Sequence, residues 1–359
     1  VQQPVSIADD ETALSLNTKC FAAALESFPV LLDQLTGGAL MRQPQDQDLR
    51  SYFGKFKRPS GAGVLDWNAQ ADELDRIVRA LNVGGYSNFL GSAKLWTGQH
   101  AAVVNESSVE EAAAGRCGEI LEIGDKLRIQ CTDSVLAINS LVRLDGRETT
   151  IAEFASLAGL NVGDVLPTPD FAALDALTKA GVREEEARTA ELTLADMAEL
   201  PQRQAREGDG SRAKLPVNIP AEYAAGSEAE TIAAAFAMFL SRMLGLTELD
   251  LTVAAAPQSE SSGAAARALA EVEGASALFA AHSLVKVQID PSAESNAVVA
   301  DTAALIGEKL ARSPWLRDLV ARDPVLSKHG VTDIATALPI AIAIGENTGS
   351  AEVENAELT

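Results

Sequence analysis

The feature that most constrains this chain is a change of hydrophobic period just after Gly84-Gly85. Before it, Leu74, Ile77, Val78 and Leu81 recur at helical spacing, opposite Asp72, Glu73, Asp75 and Arg76. Asn82 and the two glycines end that helix. After it come short segments rich in branched residues and bounded by turn residues, at 93–96, 101–104, 118–123, 126–131 and 135–142. Short strands cannot bury an apolar face alone, so five of them beside one helix predict a small β-barrel, with a closing helix over 151–157. Gly124-Asp125 is the expected tight hairpin turn, Gly supplying positive φ.

Upstream, Phe21, Leu25, Phe28, Leu32 and Leu35 mark one apolar face of a helix that stops at Gly37-Gly38. Pro29 lies inside it and predicts a kink or a restart capped by Ser27. Such a stripe needs a partner, and the expected partner lies outside this chain. Residues 41–49 are polar and read as a linker.

The downstream third alternates helix and strand. Ser227-Glu228-Ala229-Glu230 is a capping box. Behind it Ile232, Phe236, Phe239, Leu240 and Met243 recur at helical spacing up to Gly245, and Phe236, Phe239 and Met243 are expected to face a sheet. Strands are expected at 249–254, 278–289 and 336–344, and helices at 298–310 and from Ser313-Pro314. Residues 171–206 read as two modest helices, followed by a flexible break at 208–211.

At 359 residues the chain is long enough for two or three domains. No apolar run is long enough to cross a bilayer, and no export signal opens the chain. Three cysteines, Cys20, Cys117 and Cys131, fit free thiols in a reducing cytoplasm. The net charge of −22 opposes phosphate neutralisation, so nucleic acid is not the expected partner.

Asp10-Glu11-Thr12, Lys19, Asp66-Trp67 and Arg79-Ala80 follow one another in the order found in formyltransferases of the methionyl-tRNA formyltransferase type, and the region from Ile7 to Gly91 resembles that family. The resemblance implies the end of a catalytic domain (1–45) followed by an OB-like C-terminal domain (46–168). It also implies that the catalytic Asn, His and Asp lie upstream. The chain, opening at Val1, is accordingly read as a piece of a larger protein. The segments 234–254, 284–291 and 314–326 resemble, in order, the C-terminal half of a condensation domain of nonribosomal peptide synthetases, without that family's His-His-x-x-x-Asp-Gly motif. The expected architecture is multi-domain α+β. An OB-like barrel is followed by a helical linker (169–215) and an α/β condensation-like half domain with a C-terminal tail (216–359).

Among candidate sites, His100, His282 and His329 lack metal-ligand spacing, and His282-Ser283 would point to opposite faces of a strand. Gly84-Gly85-Tyr86-Ser87 has the letters of a phosphopantetheine attachment site but follows a helix instead of opening one, and reads as a turn. Cys117 and Cys131 flank the hairpin and are expected to be buried thiols near one another. Lys55, Lys57 and Arg58, interleaved with Tyr52, Phe53 and Phe56, form the one basic-aromatic cluster. It reads first as a strap between domains. As a site it would hold the phosphate of a substrate arm. No catalytic, cofactor-binding or metal residue is assigned within the chain.

Through these resemblances the parent is expected to transfer formyl from 10-formyltetrahydrofolate to the amine of a carrier-bound aminoacyl group. Its neighbours would be a catalytic domain upstream and adenylation and carrier domains downstream, with no membrane partner. A formyltransferase acting on a free small amine, and a module that docks synthetase chains, are the alternatives.

Overall fold

The computed structural model describes residues 2–39, 44, 46–194, 218–223, 226–255, 264–328 and 341–344. The chain divides into two compact units: one of residues 1–97, 101–143 and 148–168, the other of 98–100, 144–147 and everything from 169 onward.

In the first unit, α1 (Ala13–Thr36) opens on a reciprocal cap: Thr12 Oγ1 accepts from Ser15 N at 3.1 Å, and Ser15 Oγ accepts from Thr12 N at 3.0 Å. The expected restart at Ser27 does not occur. One helix runs through Pro29, and Ser27 Oγ donates to the Ala24 carbonyl, three residues back, at 3.0 Å. α2 (Ala71–Leu81) buries Ala71, Leu74 and Val78, the face its spacing predicts. Its first turn carries Asp72 and Glu73 and its last Arg79, charges that suit the helix dipole.

The sheet consists of β1 (Lys94–Trp96), β2 (Ala101–Glu110), β3 (Ile120–Ile123), β4 (Leu127–Gln130), β5 (Val135–Arg143) and β6 (Glu148–Thr149), followed by α3 (Ile151–Ala158). It is antiparallel in the order β1-β2-β5-β4-β3, with β6 also paired to β5. A register shift near Glu106 lets β2 follow the whole length of β5. The sheet curls as a half-barrel around Leu74, Val78, Leu95, Ile120, Leu127, Ile129, Leu136 and Ile138, with Trp67 and Phe154 closing the core. The expected barrel is thus present as a curled sheet whose edges are β1 and β3. The hairpin turn differs from expectation. Ile123 pairs with Leu127 across three residues, and Gly124 is not among the glycines with positive φ. A three-residue connection removes the need for a left-handed first residue.

One loop of this unit is held in an unusual way. Gly61, Ala62 and Gly63 all have positive φ, at 58°, 59° and 83°. Lys94, fully buried, donates its Nζ to the carbonyls of Ala62 at 2.7 Å and Ser92 at 3.1 Å. A Cβ at residue 63 would lie 2.2 Å from the Ser92 carbonyl oxygen, so only glycine fits there.

In the second unit, α4 (Phe171–Gly181) and α5 (Glu185–Leu194) precede α6 (Glu228–Leu244), β7 (Glu248–Ala255), α7 (Ala264–Glu271), β8 (Phe279–Ala280), β9 (Ser283–Gln288), α8 (Ser295–Leu310), β10 (Trp315–Leu316), α9 (Pro324–Lys328) and β11 (Ala341–Ile344). A mixed sheet has the order β11-β7-β9, with β11 parallel and β9 antiparallel to β7. α6 and α8 pack on each other and on this sheet. The region expected to be a helical linker supplies α4, which buries Leu174 and Leu177, and α5, which packs with α9.

Three expectations are corrected here. α6 has its predicted reciprocal cap at Ser227 and its left-handed stop at Gly245, but it is rotated relative to the expected orientation. Ala233, Ala234 and Ala237 are buried, while Phe236, Phe239 and Met243 are 45%, 56% and 55% exposed. The alanine side allows α8 and the sheet to approach closely, and bulk on that side would hold them apart. The single strand expected over 278–289 is split: Ala280 pairs with Trp315, whereas Ser283 pairs with Val253 in the other sheet. The helix expected after Ser313-Pro314 is instead β10 followed by a short 3-10 turn, because Trp315 is drawn into the interior and its Nε1 donates to the His282 carbonyl at 3.0 Å. The break at 208–211, Met197, Pro216, His329, the start of the strand expected from Thr336, and the tail lie outside the described residues.

Candidate functional site

Of the residues that carry the formyltransferase resemblance, Glu11, Lys19 and Arg79 meet around the start of α1 and the end of α2, while Asp66 and Trp67 lie at the entry to α2. Glu11, 8% exposed, accepts from Lys19, from the Ser15 hydroxyl and from the Ala8 main-chain N–H. Those bonds, Lys19 first, hold its carboxyl down to about 2. Arg79 Nη1 donates to the Glu11 carbonyl at 2.9 Å, and its Nε pairs with Asp75 at 2.7 Å. Asp75 in turn accepts from Ser107 on β2 at 2.7 Å. Arg79 therefore ties α2 to the segment before α1 and, through Asp75, to the sheet. Asp66 orders the turn into α2 by accepting from Asn68 N at 3.0 Å, and Trp67 is 3% exposed in the core. These are scaffold roles. Their common product is α1, fixed at its base and apolar along its outside: Phe21, Leu25, Phe28, Leu32 and Leu35 are all exposed, and no residue of α1 is buried.

The basic-aromatic cluster is less convergent than its spacing implied. A turn closes from the Gly54 carbonyl to Lys57 N at 2.9 Å. Lys57 Nζ lies 4.7 Å from the centre of the Phe53 ring, and Lys55 Nζ 5.6 Å from that of Phe56. Arg58 folds back, donating Nη1 to the carbonyls of Lys55 at 2.9 Å and Lys57 at 3.5 Å. Tyr52 and Phe53 remain open to solvent. The two lysines present cations on aromatic ledges, and Arg58 braces the turn beneath them.

The other candidates settle into structural roles. Ser283 is buried, donates to the Lys309 carbonyl at 2.9 Å and accepts from Arg188 at 3.4 Å, so its hydroxyl is committed to structural bonds. Gly84, at φ +62°, sits in a turn against Leu14. All three cysteines are free; Cys131 is buried as expected, whereas Cys117 is only half-buried. Burial pushes the Cys131 thiol up to about 11. No group of three His, Cys, Asp or Glu side chains able to hold a metal occurs among the described residues, and no helix among them is long and apolar enough to cross a membrane.

Among the described residues, sequence reasoning missed three buried cations, one of them Arg322, which pairs with Glu185 at 3.1 Å. Lys94 reads as an ordinary strand residue, and Arg188 as part of a charged helix face. Only the short Ser-Gly-Ala-Gly run before Val64 hinted that a backbone needed support nearby.

Residues 60–158 match the family model of the formyl transferase C-terminal domain. The matched stretch covers the curled sheet together with α2 and α3. Similarity extends past it. A methionyl-tRNA formyltransferase of Geobacter metallireducens is 28% identical over 154 residues, covering 43% of this chain and 46% of the relative. One from Nitrosomonas europaea is 28% identical over 153 residues, covering 42% and 43%. The chain spans just under half the length of each of these relatives.

Proposed function

We propose that this chain is the accessory portion of a formyltransferase-bearing peptide synthetase, in which the formyltransferase C-terminal region and the second unit join and orient catalytic parts that lie elsewhere in the protein. The observation that carries the reading is the match over 60–158, flanked by a helix whose whole apolar face is exposed. In this reading α1 docks against a catalytic domain upstream, which holds 10-formyltetrahydrofolate and the groups that handle the amine proton and the oxyanion. The amine belongs to an aminoacyl group on a carrier, and adenylation and carrier domains follow downstream. The second unit acts as a condensation-like spacer. Lys55 and Lys57 receive the phosphate of the carrier's arm, with the exposed rings of Tyr52 and Phe53 beside it.

The test is reconstitution. The chain alone, given 10-formyltetrahydrofolate and aminoacyl carrier, is expected to give no formylated product above background. Adding a separately produced catalytic domain restores turnover, and Phe21→Ser with Leu25→Ser in α1 abolishes the restoration. Turnover by the chain alone overturns the reading. A specific observation favours a second one: the relatives are methionyl-tRNA formyltransferases, and residues 50–58 carry four cations and no carboxylate. The net charge of −22 opposes RNA binding. A salt-sensitive gel shift with tRNA that is lost in Lys55→Ala/Lys57→Ala would decide for an RNA substrate.

A further inference from the structure

The second unit contains a cluster of charge that neither the formyltransferase match nor the proposed function uses. α5 presents Arg188, Glu191 and Leu192 to a small pocket completed by His282, Leu284 and Trp315. Arg188 is 4% exposed. Its Nη2 donates to the Ser313 carbonyl at 2.7 Å and lies 3.5 Å from Glu184, and its Nη1 reaches Ser283 Oγ at 3.4 Å. The guanidinium carbon stands 6.0 Å from the centre of the Trp315 ring. The buried Nε–H has no partner among the described residues. A buried donor left unmade is costly, and more so when it belongs to a charged group.

The surrounding charge is unbalanced in the same sense. Glu191, the one carboxylate lining the pocket, accepts from Lys309 at 2.8 Å and from Arg312 at 2.8 Å on both oxygens. Burial works to raise its pKa, but these bonds outweigh burial and leave it lowered, so it is ionised and already committed. Glu184 is shared between Arg312 at 3.0 Å and Arg188. Among the described residues, three cations therefore face two carboxylates in these ion pairs. Burial, followed by the neighbouring Arg312 charge, pushes Arg188 down to about 10 against the opposing pull of Glu184 and Glu191.

We infer that the pocket at Arg188 and Trp315 is a binding site for a small monovalent anion, a halide or a short carboxylate, held by the Arg188 Nε–H against the apolar wall of Leu192, Leu284 and Trp315. A neutral occupant would satisfy the N–H and leave the excess positive charge in place. A divalent anion would overshoot the single uncompensated charge and bring a larger desolvation cost. The pocket has free space for about one water-sized guest, so a single-atom halide fits best and a carboxylate enters by one oxygen only.

Trp315 provides the readout, because iodide quenches indole fluorescence on contact. Trp67 and Trp96 are also buried, at 3% and 4% exposure, so collisional quenching elsewhere is weak. The full chain is titrated with sodium iodide at constant ionic strength, balanced with sodium gluconate, with acrylamide as a neutral control. The expected result is a saturating loss of fluorescence with iodide and none with acrylamide. Arg188→Met should weaken it by at least about tenfold, the loss of one hydrogen bond to a charged group. Trp315→Phe should remove the saturating component. Competition identifies the source: displacement by chloride assigns a halide, and displacement by acetate assigns a carboxylate. A linear iodide plot in the unmodified chain overturns the inference, as does competition by neither ion. So does saturation that persists unchanged in folded Arg188→Met. If that variant fails to fold, the unmodified chain, the competition arms and Trp315→Phe decide.

Discussion

α2 and α6 carry the same kind of apolar repeat and meet opposite fates. In α2 the large residues face inward: Leu74 and Val78 are buried and the charged side is wet. In α6 Phe236, Phe239 and Met243 face outward, Phe236 and Phe239 stacked on each other at 6.4 Å, and Ala233, Ala234 and Ala237 face inward together with Leu240. The difference lies in what each helix packs on. α2 lies in the hollow of a curled sheet, where depth must be filled by bulk. α6 lies against α8 and the β11-β7-β9 sheet, where short side chains make most of the contact on one face. Apolar periodicity reports that a helix has an apolar side; the depth of the partner surface decides which apolar side is used.

Substitutions can break or sharpen that contrast. The largest effect is expected from Leu74→Ala, which empties a site 1% exposed and should cost about 2–5 kcal/mol in denaturant unfolding of the first unit. Next is Ala234→Leu, which drives bulk into the fully buried side of α6 and should cost about 1–3 kcal/mol. A neutral result there would show that α6 has room to move outward and would remove the packing argument. Phe239→Ala should change stability by no more than about 0.5 kcal/mol, as expected at an exposed position. A loss comparable to Leu74→Ala would place that stripe inside after all. The smallest effect concerns acid. The folded Glu11 carboxyl lies near 2 against an ordinary 4.5, so its stabilising bonds are fully present above the ordinary value and are lost as pH falls toward 2. Glu11→Gln should therefore flatten the decline of melting temperature over that window, relative to the unmodified chain. Parallel acid curves would show that Lys19 and Ser15 contribute nothing through Glu11.

The sequence was informative where local chemistry decides structure. The cap at Ser227, the stop at Gly245, the closing helix after residue 150 and the five expected strands of the first unit follow from turn residues and period. It was silent where a distant neighbour decides. Residues 278–289 have uninterrupted strand character, yet Trp315 and Val253 claim different halves of the segment. Pro314 is well suited to open a helix, but burying Trp315 overrides that preference. Lys55, Lys57 and Arg58 are adjacent in the chain, but Arg58 turns back onto its own backbone, so proximity in sequence overstated the cluster. The Arg188 pocket draws on α5, β9 and β10 and on residues more than a hundred positions apart, and no local pattern announces such a convergence.

Lys94 adds a kinetic consequence. Its ammonium is sealed beneath the left-handed turn at Gly61, Ala62 and Gly63, with its protons committed to main-chain oxygens. An amine in that position is closed to acylating reagents while the unit stays folded, whereas the lysines at 55 and 57 react at once. With a reagent that outpaces reclosing, modification of Lys94 therefore marks time: each adduct then records one opening around the buried amine, and the rate of labelling is the rate of opening.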